Sequence, residues 1–293
     1  MKNNQAGKYT LIMVSGCLWG TIGLFIKLLD NAGSSPAYTT FLRMGFAFLI
    51  LAAAALIKEG AGSFRVSRRT LVTCMMMGVV SMSINNLCYT NAVSMLGMSL
   101  GAALLYMAPV FTAIESRVIF SENIGKHKIA AIALNVIGCT LAATGGDFSG
   151  IHVSAAGILF GVGAAFAYST QNIFGRLATD DAPPFTVAAY NFMFAALFTL
   201  LAARPFSGVG DPLDPGILLY GFLFALIPTA AAYLLYFVGI SGLTESSKVP
   251  VLCSLELVVA AILGAAVFSE RISVGMAAGI GMIFVSIIVI NRR

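Results

Sequence analysis

The sequence predicts an all-α membrane protein: ten transmembrane helices in two inverted five-helix repeats, with both termini cytoplasmic. Three observations lead there. They are the composition, a series of apolar runs about 20 residues long, and a tetrapeptide that recurs half a chain later. The chain of 293 residues is 59% hydrophobic and 10% charged, whereas soluble domains carry about 25% charge. A water-soluble fold of this length has no way to hide so much apolar surface, so the bilayer must be the solvent. The net charge of +5 does not imply nucleic acid. Most basic residues fall in short loops, where they orient a membrane protein.

A helix needs about 20 apolar residues to cross roughly 30 Å of hydrocarbon. The segments that qualify are 9–29, 36–57, 70–92, 97–119, 127–145, 153–176, 184–203, 215–238, 245–268 and 273–290. They are apolar on nearly all sides and show no alternation of period two. They therefore read as helices, which satisfy their own backbone in lipid, and not as strands of a barrel. The first run is full-length, lacks an A-x-A site and leads into further spans, so no cleavable signal peptide is expected. Short connections rich in proline and glycine separate the spans, at Asp30–Pro36, Gly145–Asp147, Asp180–Pro184 and Gly208–Pro215. They leave no room for a soluble domain.

With ten spans, both termini share one side. That side collects Lys2, Lys8, Lys58, Arg65, Arg68, Arg69, Arg117, Lys126, Lys128, Arg176, Lys248, Arg292 and Arg293. The other side has only Lys27, Arg204 and Arg271, and Arg43 lies within span 2. The excess of basic residues predicts cytoplasmic termini. The expected location is a plasma membrane, specifically a bacterial inner membrane, as a multi-pass monomer.

Phe120-Ser121-Glu122-Asn123 returns as Phe268-Ser269-Glu270-Arg271. On that register Trp19-Gly20 falls beside Tyr168-Ser169, Lys27 beside Arg176, Tyr89 beside Tyr236 and Ser99 beside Ser246. Residues 1–146 and 147–293 thus form two repeats of five spans each. Five is odd, so the second enters the membrane from the opposite side. Inverted repeats of this kind build carriers that expose a midplane site alternately to each face.

Trp19-Gly20, Leu42-Arg43, Tyr106-Met107-Ala108-Pro109-Val110-Phe111 and the Phe-Ser-Glu endings resemble the EamA domain of the drug/metabolite transporter superfamily. The resemblance covers both halves. It implies ten helices, cytoplasmic termini and a cavity lined mainly by spans 1, 3, 4, 6, 8 and 9. It also implies transport of small metabolites, often amino acids and frequently outward. One departure stands out: Leu255-Glu256-Leu257-Val258 lacks the proline that usually follows the glutamate. A helix break in span 9 is therefore expected elsewhere, at Pro250.

Glu256 is the sharpest single residue. A charge at the centre of a span costs about 2.5–3.5 kcal/mol on insertion scales. It reads as a contact for a substrate amino group, as a proton carrier, or as a hydrogen-bonded structural glutamate. Glu115, two residues before Arg117, is expected to form a local or interhelical ion pair near the interface. Arg43 is expected to bond helix ends or backbone carbonyls, with a substrate-carboxylate role left open. Glu122 and Glu270 are expected to be solvated or to cap a neighbouring helix. Amides and aromatics outnumber charges: Trp19 in span 1, Asn85 and Tyr89 in span 3, and Tyr106 in span 4. Span 6 adds Tyr168 and Gln171, and span 8 adds Tyr233. Taken with Glu256, they suit an apolar, aromatic pocket for a neutral or zwitterionic small molecule. Singly, each serves interhelical packing equally well. Asn135 and Asn191 read as packing residues.

The five cysteines lie inside spans and read as small apolar residues. There is no P-loop, no H-E-x-x-H, no G-x-S-x-G and no metal-ligand cluster, and the two histidines, His127 and His152, sit at loop edges. The expectation is a secondary transporter, not an enzyme, with no cofactor and no nucleic-acid partner. Its partners are the lipid bilayer and a small-molecule substrate, either amino acids or related amines for export. Multidrug or cationic-compound efflux is the alternative.

Overall fold

The computed structural model describes residues 2–147, 154–202, 206, 212–269 and 271–291. Glu270, Arg204, His152, Arg292, Arg293 and the 208–211 part of one connection lie outside the described residues. All regular structure among the described residues is helical. Span 1 is α1 (Lys2–Trp19) and α2 (Ile22–Asn31), and span 2 is α3 (Pro36–Lys58). Span 3 begins as α4 (Arg68–Met76), widens into a π-helical segment over Met77–Ile84 and continues as α5 (Asn85–Leu96). Span 4 is α6 (Met98–Leu105) and α7 (Ala108–Phe120), and span 5 is α8 (Lys126–Thr144).

In the second half, α9 (Ala155–Asp181) and α10 (Pro184–Ala202) are unbroken. Span 8 is α11 (Pro215–Ala225), a π-helical segment over Leu226–Ala231, and α12 (Ala232–Ile240). A 3-10 turn at Ser246–Lys248 leads into α13 (Val249–Cys253) and α14 (Leu255–Phe268), and α15 (Val274–Asn291) ends the described chain.

Nine helical segments among the described residues are long and apolar enough to cross a membrane, and they coincide with nine of the ten expected spans. The remaining one, α9, has 27 residues, ample length at 1.5 Å per residue. Its apolar run is interrupted by Tyr168-Ser169-Thr170-Gln171-Asn172, and this is what keeps it out of the nine.

The helix starts follow ordinary capping chemistry. Ser35 accepts from the Tyr38 amide at 3.3 Å, Ser67 from Thr70 at 3.0 Å and Asp214 from Ile217 at 2.9 Å, each satisfying an orphan donor. Glu59 reaches across to α10 and accepts from the Phe185 and Thr186 amides at 3.1 and 3.0 Å. Pro109 and Pro250 sit in first helical turns, where a missing N–H costs nothing. Pro250 therefore does not break span 9. The break falls at Ser254, between α13 and α14.

The chain folds into two compact units: Met1–Val79 with Phe174–Gly242, and Val80–Ile173 with Leu243–Arg293. Each takes stretches from both sequence halves. In the first, Phe25, Leu29, Tyr38, Leu42, Ile217 and Phe224 form a core, with Phe25 stacked on Phe224 at 5.8 Å. In the second, Cys139, Ala142, Val258 and Ile283 form one cluster and Ala113, Ala131, Ile132, Val251 and Ile290 another.

The closest helix approach in the second unit is α8 on α15. A Cβ placed at Gly279 would fall 2.6 Å from the Gly138 carbonyl oxygen, so small residues set the spacing. Gly157 and Gly161 play the same part against Leu96 and Leu104. Gly281, two residues beyond Gly279, faces open space. Gly279→Ala should therefore cost about 1–3 kcal/mol through overpacking, read as a lower melting temperature in detergent. Gly281→Ala in the same helix should be neutral or mildly stabilising.

Candidate functional site

Irregular backbone at membrane depth collects the polar side chains. In the first unit, α1 stops at Trp19, and the Thr21 hydroxyl donates to the Leu18 carbonyl at 2.8 Å across the break. Trp19 packs on Tyr233 with ring centroids 4.9 Å apart and on Tyr236 at 5.3 Å. Phe192 meets Tyr233 edge-on at 5.0 Å. Trp19 is 6% exposed, yet its indole N–H has no acceptor among the described residues. A buried indole usually finds one.

Tyr233 follows directly on the π-helical segment that holds Thr229. The Thr229 hydroxyl donates to the Phe224 carbonyl at 2.9 Å and accepts from Arg43 Nε at 3.0 Å. The Arg43 guanidinium lies 4.9 Å over the Phe224 ring, a cation–π arrangement. Arg43 thus bonds a hydroxyl and a ring face, not the helix ends or carbonyls expected of it.

In the second unit, the Asn85 amide donates to the Ala164 carbonyl at 2.8 Å, so part of it serves packing. Ser81 and Thr170 share a hydrogen bond of 2.6 Å. Ser169 donates to Glu115 at 2.8 Å, whereas Arg117 turns to the Glu122 carbonyl at 3.4 Å. The ion pair expected of Glu115 is therefore replaced by a serine on another helix. Gln171 is 4% exposed, and neither end of its amide has a partner among the described residues. Tyr168 is half-buried on the same helix.

Glu256 is the second residue of α14, immediately after the break. The break itself is pinned. Asn135 donates to the Ser254 hydroxyl at 2.8 Å and to Ser286 at 3.1 Å, and Ser254 donates to the Val251 carbonyl at 2.7 Å. Asn135 is a packing residue, as expected, and what it packs is the break. The half-buried Glu256 carboxylate makes no hydrogen bond or ion pair among the described residues. Its sequence neighbours Leu255 and Leu257 pack with Tyr106 against the Cys139, Ala142, Val258 and Ile283 cluster. The exposed helix amides at the start of α14 favour a negative charge there.

The structure therefore brings Trp19 together with Tyr233 in one unit, and in the other packs Tyr106 against the same cluster as the residues flanking Glu256. Three features escaped the sequence: the Asn135–Ser254–Ser286 pin, Tyr236 as a neighbour of Trp19, and an ion network at the end of α7. In that network Glu122, buried and not solvated, accepts from Lys128 at 2.9 Å, from the Ser247 amide at 3.2 Å and from the Ser247 hydroxyl. It caps the turn that opens span 9, one of the two roles expected for it. Lys128 also meets Glu245 at 2.7 Å, and Lys248 meets Glu245 at 2.8 Å. Burial alone would raise the Glu245 carboxyl, but Lys128 and Lys248 outweigh it and hold the group below its ordinary value.

Two grooves are lined by residues of neighbouring spans. One of about 310 Å³ runs between Phe41–Leu49 and Met193–Leu200. The other, of about 410 Å³, runs between Val110–Val118 and Ile124–Ala133. Both are almost wholly apolar, and neither includes any of the polar residues above except Arg117.

Residues 7–144 and 155–292 each match the EamA-like transporter family. The chain belongs to the EamA-like transporter family. Similar family members include an uncharacterized transporter of Archaeoglobus fulgidus, 24% identical over 282 residues, covering 96% of this chain and 95% of that protein. The uncharacterized transporter YwfM of Bacillus subtilis is 25% identical over 300 residues, covering 99% and 95%. A solved crystal structure superposes with a TM-score of 0.81 at 18% identity, covering 97% of this chain and 96% of that one, which shows a shared fold. Together with the apolar helices, the family makes this a multi-pass membrane protein with a transporter's role.

Removing one partner of a buried ion pair strands the other. Lys128→Met should destabilise the protein by about 3–5 kcal/mol, seen as a lower melting temperature, and adding Glu122→Gln should restore part of the loss. Glu245 is depressed in the folded state, so its contribution is present above the unfolded value of about 4.3. It fades only as pH falls through the lower folded value. Melting temperatures should show this contribution unchanged between pH 7 and pH 5.

Proposed function

We propose that the chain is a secondary transporter that exports a small organic metabolite, an amino acid or related amine, by alternating access. Ten spans, two inverted repeats over 1–146 and 147–293, cytoplasmic termini and monomeric residence in a bacterial inner membrane belong to this reading. It needs no cofactor and includes no catalytic step.

The observation that carries it is Glu256. A carboxylate at membrane depth is expensive, and one without a partner among the described residues, placed beside a helix break, suits an incoming ammonium group. Trp19 and Tyr233 supply aromatic contact in the first unit. In the second, Tyr89, Tyr106 and Tyr168 supply contact area, and Asn85 and Gln171 supply hydrogen bonds. The unsatisfied amide of Gln171 supports this, because a buried amide left without partners costs free energy unless a ligand or water meets it.

A second reading, efflux of cationic drugs, draws on the same carboxylate and the same aromatic surfaces. A resistance assay with toxic organic cations in cells expressing the protein separates the two.

Purified protein in liposomes should carry labelled amino acids or amines in saturable counterflow. Glu256→Gln should reduce transport of amine-bearing substrates roughly tenfold or more while the protein still folds. If a broad metabolite panel yields no counterflow and Glu256→Gln leaves resistance unchanged, the reading fails.

A further inference from the structure

We propose that Arg43 and Trp19 form a subsite for the carboxylate of the transported molecule in the first unit. This rests on the transporter reading and narrows the substrate class to molecules that carry a single carboxylate. Some donors in this unit have no acceptor among the described residues. The Arg43 Nε–H is spent on the Thr229 hydroxyl, and the guanidinium plane is held over Phe224. No carboxylate among the described residues pairs with Arg43. Glu59 and Asp214 of the same unit serve as caps, Glu59 at the start of α10 and Asp214 at the start of α11.

The two Nη groups of Arg43 therefore remain without a partner among the described residues. Together they form a planar fork suited to both oxygens of a carboxylate. Thr229 and Phe224 fix its orientation in advance, which lowers the ordering cost of binding.

The second observation is independent. The Trp19 indole N–H is buried and has no acceptor. Trp19 packs on Tyr233, which lies four residues along span 8 from Thr229, the residue that holds Arg43. Both unspent donors thus belong to residues that meet the same stretch of span 8, where α1 breaks and span 8 turns π-helical. Helix irregularity at membrane depth is tolerated where it lines a cavity. A single delocalised positive charge matches a monoanion. A phosphate dianion would leave charge uncompensated in a low-dielectric site.

The only tryptophan in the chain is Trp19, so intrinsic fluorescence reports directly on this subsite. Purified protein in detergent would be titrated with leucine and phenylalanine, with the matching amines isoamylamine and phenethylamine, with the amino-acid amides, and with inorganic phosphate. The expected result is a saturable change with the amino acids only. Arg43→Gln should weaken it roughly ten- to a hundredfold, and Arg43→Lys, which keeps the charge but loses the fork, should fall between. Unchanged size-exclusion behaviour and helical circular dichroism would show that the variants fold.

Amines titrating as well as amino acids, or Arg43→Gln titrating like the parent, would overturn the subsite. A response to phosphate alone would assign the donors to a phosphate group and overturn it too. Failure of the transporter reading is separate: saturable fluorescence that depends on Arg43, without counterflow in liposomes, would leave the subsite standing and remove the carrier.

Discussion

In hydrocarbon, every backbone N–H and C=O must find its partner inside the protein, because water is not there to substitute. That constraint governs where this chain can depart from regular helix. Departures free backbone groups, and three of them are met by a specific side chain. Thr21 closes the break after Trp19, Thr229 bonds back to Phe224 within the π-helical segment, and Ser254 bonds Val251 while Asn135 and Ser286 hold it in place. Trp19 and the unpartnered carboxylate of Glu256 lie at two of these departures.

The departures recur along the two halves. The π-helical segments at Met77–Ile84 and Leu226–Ala231 lie in spans 3 and 8, and the breaks at Tyr106-Met107 and Ser254 lie in spans 4 and 9. Both Phe-Ser-Glu copies end their helix at a serine in the left-handed region, Ser121 at φ 53° and Ser269 at φ 56°. A left-handed serine costs energy, so its repetition marks a chain reversal that both halves require. The halves differ in chemistry, not backbone plan. Where the first opens α7 with Ala108-Pro109, the second opens α14 with Leu255-Glu256, and only the second places a carboxylate at the break.

Hydropathy is additive along a segment, so ten spans could be read from local composition; nine of them are long apolar helices among the described residues, and α9, with its polar run Tyr168–Asn172, is the exception. The break in span 9 was misread because proline is disruptive only inside a helix. Pro250 falls in a first turn, and the true break depends on Asn135 and Ser286, which arrive from other spans. Glu122 looked like a loop carboxylate open to solvent. Its burial depends on Lys128 and on Ser247, which lies half a chain away. Glu115 stood two residues from a plausible partner and instead bonds Ser169 on another helix. Residues i and i+2 point to different sides of a helix, so sequence proximity was a poor guide.

By itself, the sequence determined the solvent, the helical class, most of the spans and the internal repeat, because these follow from composition and from self-similarity. The tertiary structure alone decided which polar groups are spent and which are not. Arg43, Trp19, Gln171 and Glu256 are unremarkable as letters in apolar runs. A donor or acceptor becomes available for a ligand only when the surrounding helices leave it without a partner, and that depends on contacts between residues far apart in the chain.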